Sequence, residues 1–161
     1  MSVTNQERVV AFRPATPADD DFLYELYRST RTEDLGAVEL HSDQLELITR
    51  MQFNAQRQQY ASDFPDADHE IILVNNKSIG RSIVDRTTER ILLVDLAILT
   101  EYRNAGIGTI VVKRVQAEAR VSGRPLRITV EKTHPVLPHW ERMGFKRIAA
   151  TAINFYLEWT P

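Results

Sequence analysis

The chain has 161 residues, of which 43% are hydrophobic and 26% are charged, and it contains no cysteine. A chain of this length and composition can bury a sizeable core, which excludes a disordered protein and a disulfide-stapled miniprotein. The lack of cysteine also excludes a thiol nucleophile and a thiolate metal site. The net charge of −2 is unlike that of a general nucleic-acid binder.

Charge is divided unevenly along the chain. Residues 1–70 carry six basic and 14 acidic side chains, whereas residues 71–161 carry 14 basic and eight acidic ones. Sixteen of the 20 cations are arginines, and arginine suits bidentate contacts with phosphate or carboxylate. The split indicates either unevenly scattered surface charge or a second half that binds an anion.

No segment resembles an export signal or a membrane span. The N-terminal residues lack a charged head followed by a long apolar run. The longest apolar stretch, residues 91–99, is interrupted by Asp95 and is too short to cross a bilayer. We therefore expect a cytoplasmic protein with no membrane partner and no nucleic-acid partner.

The first half of the chain predicts one strand and two helices. Residues 9–12 form a β-branched and aromatic run that Pro14 closes, which is typical of a strand. Thr16 followed by Pro17 is a typical helix start, and a second helix start is predicted at Ser42. The apolar face of this second helix is predicted to contain Leu45, Ile48, Met51 and Ala55.

The second half predicts strands separated by helices. Strands are predicted over residues 70–74, 78–85, 91–99 and 126–131, and in a closing pair that ends with residues 153–159. Helices are predicted over residues 109–120 and 135–143. The apolar side of the first of these helices is predicted to contain Ile107, Ile110, Val111, Val115 and Ala119. This order of elements is typical of one mixed α/β domain, which we expect to span residues 1–161.

The most informative segment is the loop Arg103-x-x-Gly106-x-Gly108, between a buried strand and a helix. Glycines let the backbone approach a ligand closely, and the free N–H groups at a helix start can bind phosphate oxygens. Thr109 could add a hydroxyl, and Arg103 either a charge-assisted contact or a structural brace.

Three other interpretations of this loop can be weighed from the residues. Two glycines at a strand-to-helix turn can simply make the turn tight. A dinucleotide site of the Gly-x-Gly-x-x-Gly type, with Glu131 as the ribose acid, lacks its third glycine because Val111 occupies that position. A phosphate loop of the Gly-Lys-Ser/Thr type is absent from the sequence.

Two motifs in this order resemble the GNAT superfamily of acyl-CoA-dependent N-acetyltransferases. The first is the Arg103-x-x-Gly-x-Gly108 loop after a buried strand. The second begins at Val130-Glu131, continues through Pro135 and ends as Trp140-Glu-Arg-Met-Gly-Phe145. The resemblance covers residues 12–159. It implies an α/β (α+β) fold: a single GNAT-like domain with a central mixed, mostly antiparallel sheet, splayed in a V at the cofactor, and about four helices on its faces.

The resemblance also implies acetyl-CoA as co-substrate and no metal. The cofactor's pyrophosphate would bind the backbone N–H groups of residues 104–109, and its pantetheine arm would pair with the main chain of residues 96–98. Backbone donors would polarise the thioester carbonyl, and an amine would attack it directly, without an acyl-enzyme. The cofactor-binding residues implied in this way are Leu96, Ala97, Ile98, Arg103, Asn104, Ala105, Gly106, Ile107, Gly108, Thr109 and Trp140.

Two positions depart from the family's pattern. Many members carry Asn and Tyr where this chain has His134 and Trp140. The Tyr commonly protonates the departing thiolate, and an indole N–H is not acidic enough to replace it. His134 is the candidate proton donor, because histidine titrates near neutral pH; its alternative role is a helix cap. His139 is expected to be a solvated helix residue, and five-residue spacing makes a metal site with His134 unfavourable.

A general base and an acceptor site must also be assigned. Asp95, which interrupts an apolar strand, and Glu131, at the end of the next strand, are the candidate bases; each could instead pair with an arginine. The first two helices are expected to bind the acceptor through Tyr27, Arg31 and Gln56, or to present these side chains to solvent. The acidic first half would suit a cationic amine.

These residues lead to one main function and two alternatives. The main one is an N-acetyltransferase that acts on a small-molecule or peptide primary amine. The first alternative is a non-catalytic acyl-CoA-binding or regulatory module with a degenerate active site, which the loss of the Tyr at Trp140 favours. The second is a nucleotide-dependent oxidoreductase domain. The apolar closing strand and Trp159 could pair with a second copy, which would give a homodimer.

Overall fold

A computed structural model of the protein describes residues 8–34 and 42–161. Its N-terminal elements are strand β1 (Val10–Pro14), a 3-10 turn (Pro17–Asp19) and helices α1 (Asp20–Asp34) and α2 (Ser42–Asp63). The predicted helix start at Thr16 is confirmed, because the Thr16 N–H donates to Asp19 Oδ2 over 2.8 Å and so caps the turn that leads into α1.

The remaining elements follow the predicted order. They are β2 (Asp68–Val74), β3 (Lys77–Arg86), β4 (Ile91–Ile98), a 3-10 turn (Thr100–Tyr102), α3 (Ile107–Ser122), β5 (Leu126–Glu131), α4 (Leu137–Arg142), β6 (Lys146–Ala150) and β7 (Asn154–Trp159). None of the helices in the described part of the chain combines the length and the apolar character that a membrane span requires.

The strands form one mixed sheet in the order β1-β2-β3-β4-β5-β7-β6. β4 and β5 are parallel, and the pairs β1–β2, β5–β7 and β6–β7 are antiparallel. The ladder between β4 and β5 runs from Ile91 opposite Leu126 to Leu93 opposite Ile128. Both strands continue past this ladder, β5 as far as Glu131. The two strands therefore pair at only three positions, although β4 has eight residues and β5 has six. The predicted V-shaped splay requires that the pairing stop before the strands end.

The chain forms two compact units. The first contains the described residues up to Pro65, together with His69–Ser82 and Ala97–Ile107. Its helices pack through the rings of Tyr24, Tyr27 and Phe53. The centre of the Phe53 ring lies 5.4 Å from that of Tyr24 and 5.5 Å from that of Tyr27. Each of these rings is covered by an arginine guanidinium, and these arginines are Arg31 on Tyr27, Arg50 on Tyr24 and Arg57 on Phe53.

The predicted apolar face of α2 is wrong. Ile48 and Met51 are exposed, Met51 by 62%, whereas Thr49 and Phe53 are buried. Phe53 packs on the α1 tyrosines, so the helix turns this side inward, and Thr49 satisfies its hydroxyl locally by donating to the Leu45 carbonyl over 2.7 Å.

The second unit contains Asp66–Asp68, Ile83–Leu96 and Gly108–Pro161, and it holds the larger apolar core. This core joins β4, β5 and β7 to helices α3 and α4. Helix α3 contributes Val112, Val115 and Ala119, whereas Ile110, expected on the buried side, is 44% exposed. The buried residues of the core are Val84, Ile91, Leu93, Val112, Val115, Ala119, Leu126, Ile128, Val130, Leu137, Trp140, Phe145 and Leu157.

Candidate functional site

The loop before α3 has the geometry of an anion-binding turn. Asn104 and Gly106 adopt left-handed backbone conformations, with φ values of 58° and 81°. The helix begins at Ile107, so the N–H groups of its first turn have no partner within the helix. These groups and the positive end of the helix dipole favour an anion at this end of α3.

Arg103 and Gly106 have different roles in this loop. Arg103 Nε donates to the carbonyl oxygen of Ile98 over 3.0 Å, which is the brace that the sequence left as one of two options. Gly106 has open space where a side chain would lie, because a Cβ built there would meet no atom within 4 Å. A ligand can therefore approach the backbone at Gly106.

The end of β4 lies close against β3. The Leu99 N–H donates to the Ile79 carbonyl over 2.8 Å, and a Cβ on Gly80 would lie only 2.5 Å from the carbonyl oxygen of Ala97. Only glycine permits this approach. The main chain around Ala97, predicted to pair with pantetheine, is thus positioned by β3.

A contact that the sequence did not predict joins α3 to α4. Thr109 Oγ1 lies 2.8 Å from His139 Nε2, and the His139 ring packs on Trp140 with centroids 5.0 Å apart. His139 was expected to be a solvated helix residue; it does lie on α4, but it is half-buried by these two contacts. No local pattern signals the contact, because the two residues are 30 positions apart.

Trp140 belongs to the apolar core of the second unit. It is 7% exposed, and its ring lies 6.4 Å from that of Phe145 in an edge-on arrangement. The residue that replaces the family's usual Tyr therefore has a packing role.

His134 is exposed and lies just before α4. Its N–H donates to the Glu131 carbonyl over 3.0 Å, and its Nδ1 accepts the Val136 N–H, also over 3.0 Å. This contact lies in the turn before α4 and is not the helix cap weighed from the sequence, because the residue at the helix start is Val136 and no side chain caps the helix. Because Nδ1 is an acceptor, the ring in this arrangement is neutral, with its proton on Nε2. To act as an acid towards a thiolate, the ring must first take a second proton at Nδ1 and give up the contact with Val136.

Glu131 opens onto a cavity of about 400 Å³ at the ends of β5 and β7. Glu131 is an exposed residue. The neighbouring Lys132 donates its N–H to the Ile153 carbonyl over 2.9 Å, and its Nζ lies 5.2 Å from the centre of the Phe155 ring. The cavity is lined by Glu131, Lys132, Thr133, Ala152 and Ile153.

Asp95, the other candidate base, is half-buried on β4. It is not an isolated carboxylate, because it is engaged in a polar contact within the protein. Glu131, in contrast, is exposed and lines a cavity, so it is the more accessible of the two candidate bases.

The three candidate acceptor residues lie in the first unit. Tyr27 and Arg31 are brought together, because Arg31 Nε donates to the Tyr27 hydroxyl over 3.0 Å. Gln56 accepts a hydrogen bond from Arg81 Nη2, also over 3.0 Å. Arg81 is only 8% exposed, and its guanidinium lies 5.9 Å from the Tyr60 ring centre. The signal that could have identified Arg81 is its place in the two-residue alternation of β3, between the buried Ile79 and Ile83.

The described residues contain no cluster of three or more His, Asp or Glu side chains that could hold a metal ion.

The family comparison covers most of the chain. The model of the acetyltransferase (GNAT) domain matches residues 38–161. No curated protein shows significant sequence similarity to the chain.

Solved structures with the same fold include three acetyltransferases. PaiA N-acetyltransferase from Thermoplasma acidophilum, in complex with coenzyme A, is 16% identical, with a TM-score of 0.72 over 95% of this chain and 99% of that one. An acetyltransferase from Thermus thermophilus is 18% identical, with a TM-score of 0.69 over 95% and 97%. A GNAT family acetyltransferase from Elizabethkingia anophelis, with acetyl-CoA bound, is 18% identical, with a TM-score of 0.61 over 94% and 98%. These matches confirm the predicted mixed-sheet fold.

Proposed function

Because this chain belongs to the GNAT acetyltransferase family, we propose that it transfers an acetyl group from acetyl-CoA to a primary amine. The observation that carries the proposal is the loop before α3. Its left-handed Asn104 and Gly106 and the open space at Gly106 leave backbone N–H groups accessible to an anion such as a pyrophosphate.

Acetyl-CoA would be held by the main chain of two segments. Residues 104–109 bind the pyrophosphate through N–H groups, with Thr109 adding its hydroxyl. Residues 96–98 pair with the pantetheine arm, and their position against β3 supports this role. Arg103 acts by holding the loop to Ile98. Two proteins of the same fold have been crystallised with coenzyme A or acetyl-CoA.

The transfer proceeds by direct attack in a ternary complex. Glu131 accepts a proton from the ammonium group of the acceptor, directly or through water, with Asp95 as the second candidate base. The freed amine nitrogen attacks the thioester carbonyl carbon, and backbone N–H groups stabilise the oxyanion that develops. The carbon–sulfur bond then breaks. The attacking nitrogen, which is cationic once its bond to carbon has formed, gives its second proton to water. The thiolate takes a proton from water or from His134 in its imidazolium form, which leaves an N-acetylated amine and CoA.

The acceptor is a small-molecule or peptide amine. Tyr27, Arg31 and Gln56 are the proposed acceptor-binding residues, and the contacts that fix Arg31 and Gln56 support a rigid recognition surface. Cytoplasmic location, one domain over residues 1–161 and pairing of the closing strand in a homodimer remain predictions.

A non-catalytic acyl-CoA-binding module is the second candidate, and one observation favours it. At the position of the family's usual acid, Trp140 is buried in the core and has no acidic hydrogen to give a thiolate. The variant Trp140→Tyr separates the two candidates. A module that has lost its acid should gain activity in this variant, whereas an enzyme that uses His134 or water should already be active without it.

The direct experiment is thiol release from acetyl-CoA by the purified protein with a broad panel of primary amines. The proposed function predicts release that depends on both the amine and the protein. Tight CoA binding without amine-dependent release across the panel would contradict the enzyme and favour the binding module.

A further inference from the structure

We infer that His139 is a positioning residue that orients the Thr109 hydroxyl towards the cofactor's pyrophosphate. The inference rests on the proposed acetyl-CoA site. It adds a residue from α4 whose side chain acts through Thr109, and it assigns a role to a histidine that the proposed mechanism does not use.

The contact has a fixed geometry at both ends. Thr109 is the third residue of α3, within the turn whose N–H groups face away from the helix. Its Oγ1 lies 2.8 Å from His139 Nε2. On the other side, the His139 ring packs against Trp140 at 5.0 Å and an interplanar angle of 51°, and Trp140 is buried in the core. The imidazole is therefore held in place by packing.

The hydroxyl of Thr109 has one proton to donate. The direction in which that proton points depends on whether Nε2 of His139 carries a hydrogen. If Nε2 has no hydrogen, it accepts the Thr109 proton, and the hydroxyl has nothing left to give a phosphate oxygen. If Nε2 carries a hydrogen, it donates to Oγ1, and the Thr109 proton is free for the ligand. An anion at the start of α3 favours the second arrangement, because it accepts the free O–H.

Four variants test this role. His139→Phe keeps a ring beside Trp140 but removes the N–H group, and Thr109→Val keeps the shape of the side chain but removes the hydroxyl. Each should weaken CoA binding about tenfold, as expected for the loss of a hydrogen bond to a charged group. His139→Gln and Thr109→Ser keep the donor and the hydroxyl, and each should stay within about twofold of wild type.

Three further measurements separate positioning from general damage. The double variant Thr109→Val/His139→Phe should bind CoA about as well as either single variant, because both changes break one interaction. With acetyl-pantetheine, which lacks the pyrophosphate, His139→Phe should have the same KM as wild type. Melting curves show whether each variant is folded.

The possible results distinguish this inference from the proposed function. If wild type binds CoA and acetylates amines but His139→Phe binds CoA equally well, the positioning role is wrong and the function stands. Additive losses in the double variant, or an equal loss with acetyl-pantetheine, also overturn the role. If wild type binds no CoA, both the role and the function are wrong.

Discussion

Arg103 Nε donates a hydrogen bond to the carbonyl oxygen of Ile98, 3.0 Å away, so the first residue of the glycine loop is tied to the strand that precedes it. This side-chain bond spans the start of the connection between β4 and α3, because it joins Arg103 to Ile98, the last residue of β4. We therefore expect Arg103 to affect anion binding through the shape of the loop.

This contact predicts how Arg103→Ala behaves. The variant should bind CoA more weakly, because the loop loses its brace. The salt dependence of the dissociation constant should keep its wild-type slope, because a brace to a neutral carbonyl is not a charge pair with the ligand. Arg127→Ala, which removes an exposed ion pair with Glu158, is the control and should bind CoA normally. A shallower salt dependence in Arg103→Ala would instead indicate a direct phosphate contact.

Gly106→Ala should weaken CoA binding strongly, because its Cβ would occupy the space through which a ligand approaches. Alanine is also strained at a φ of 81°, which costs about 1–2 kcal/mol of stability. Gly123→Ala is a matched control, since Gly123 has a φ of 67° and similarly open surroundings just after α3. Urea unfolding should show similar losses of stability in both variants. Titration with CoA should show a loss of affinity only in Gly106→Ala, and normal affinity there would contradict the site.

Glu131→Gln should reduce kcat by about 100-fold or more if the carboxylate accepts the amine proton. Affinity for CoA should stay close to wild type, because Glu131 is not assigned to the cofactor. Glu158→Gln is the control: this carboxylate is on β7 and pairs with Arg127. Steady-state kinetics with one amine substrate measure both variants. An undiminished kcat in Glu131→Gln would move the base to Asp95 or to water.

Much of the fold, but less of the site, could be predicted from the residues. The family, the enzyme class and the mixed sheet are confirmed, because turn residues, alternation in strands and two spaced motifs are local signals. The apolar face of α2 was wrong because Phe53 is buried by rings on α1, a contact made across the fold. The partner of Thr109 was missed for the same reason.

The free energy of unfolding should depend on pH through the ionisation of Asp19. Hydrogen bonds from the Arg13 guanidinium lower the pKa of this carboxyl from its ordinary value of 3.8 to about 2. A lowered pKa means that the ionised form stabilises the fold. This contribution is complete above the ordinary pKa and is lost as the pH falls through the folded value of about 2.

Asp19→Asn should therefore be less stable than wild type at pH 7, and the difference should shrink as the pH falls below about 4. Urea unfolding of both proteins between pH 7 and pH 3 measures this. Asp21→Asn, at an exposed position of α1, should differ much less from wild type. A difference between Asp19→Asn and wild type that is constant over the whole pH range would contradict the assignment.

The most direct test of the central claim is to follow the acetyl group itself. The protein is incubated with carbon-13 acetyl-CoA and a reactive primary amine, and mass spectrometry records both the small-molecule products and the intact protein. We predict labelled N-acetylated amine, an equal amount of free CoA and unlabelled protein. Stable CoA binding with no labelled amine would contradict the transferase, and labelled protein in the absence of amine would contradict direct attack.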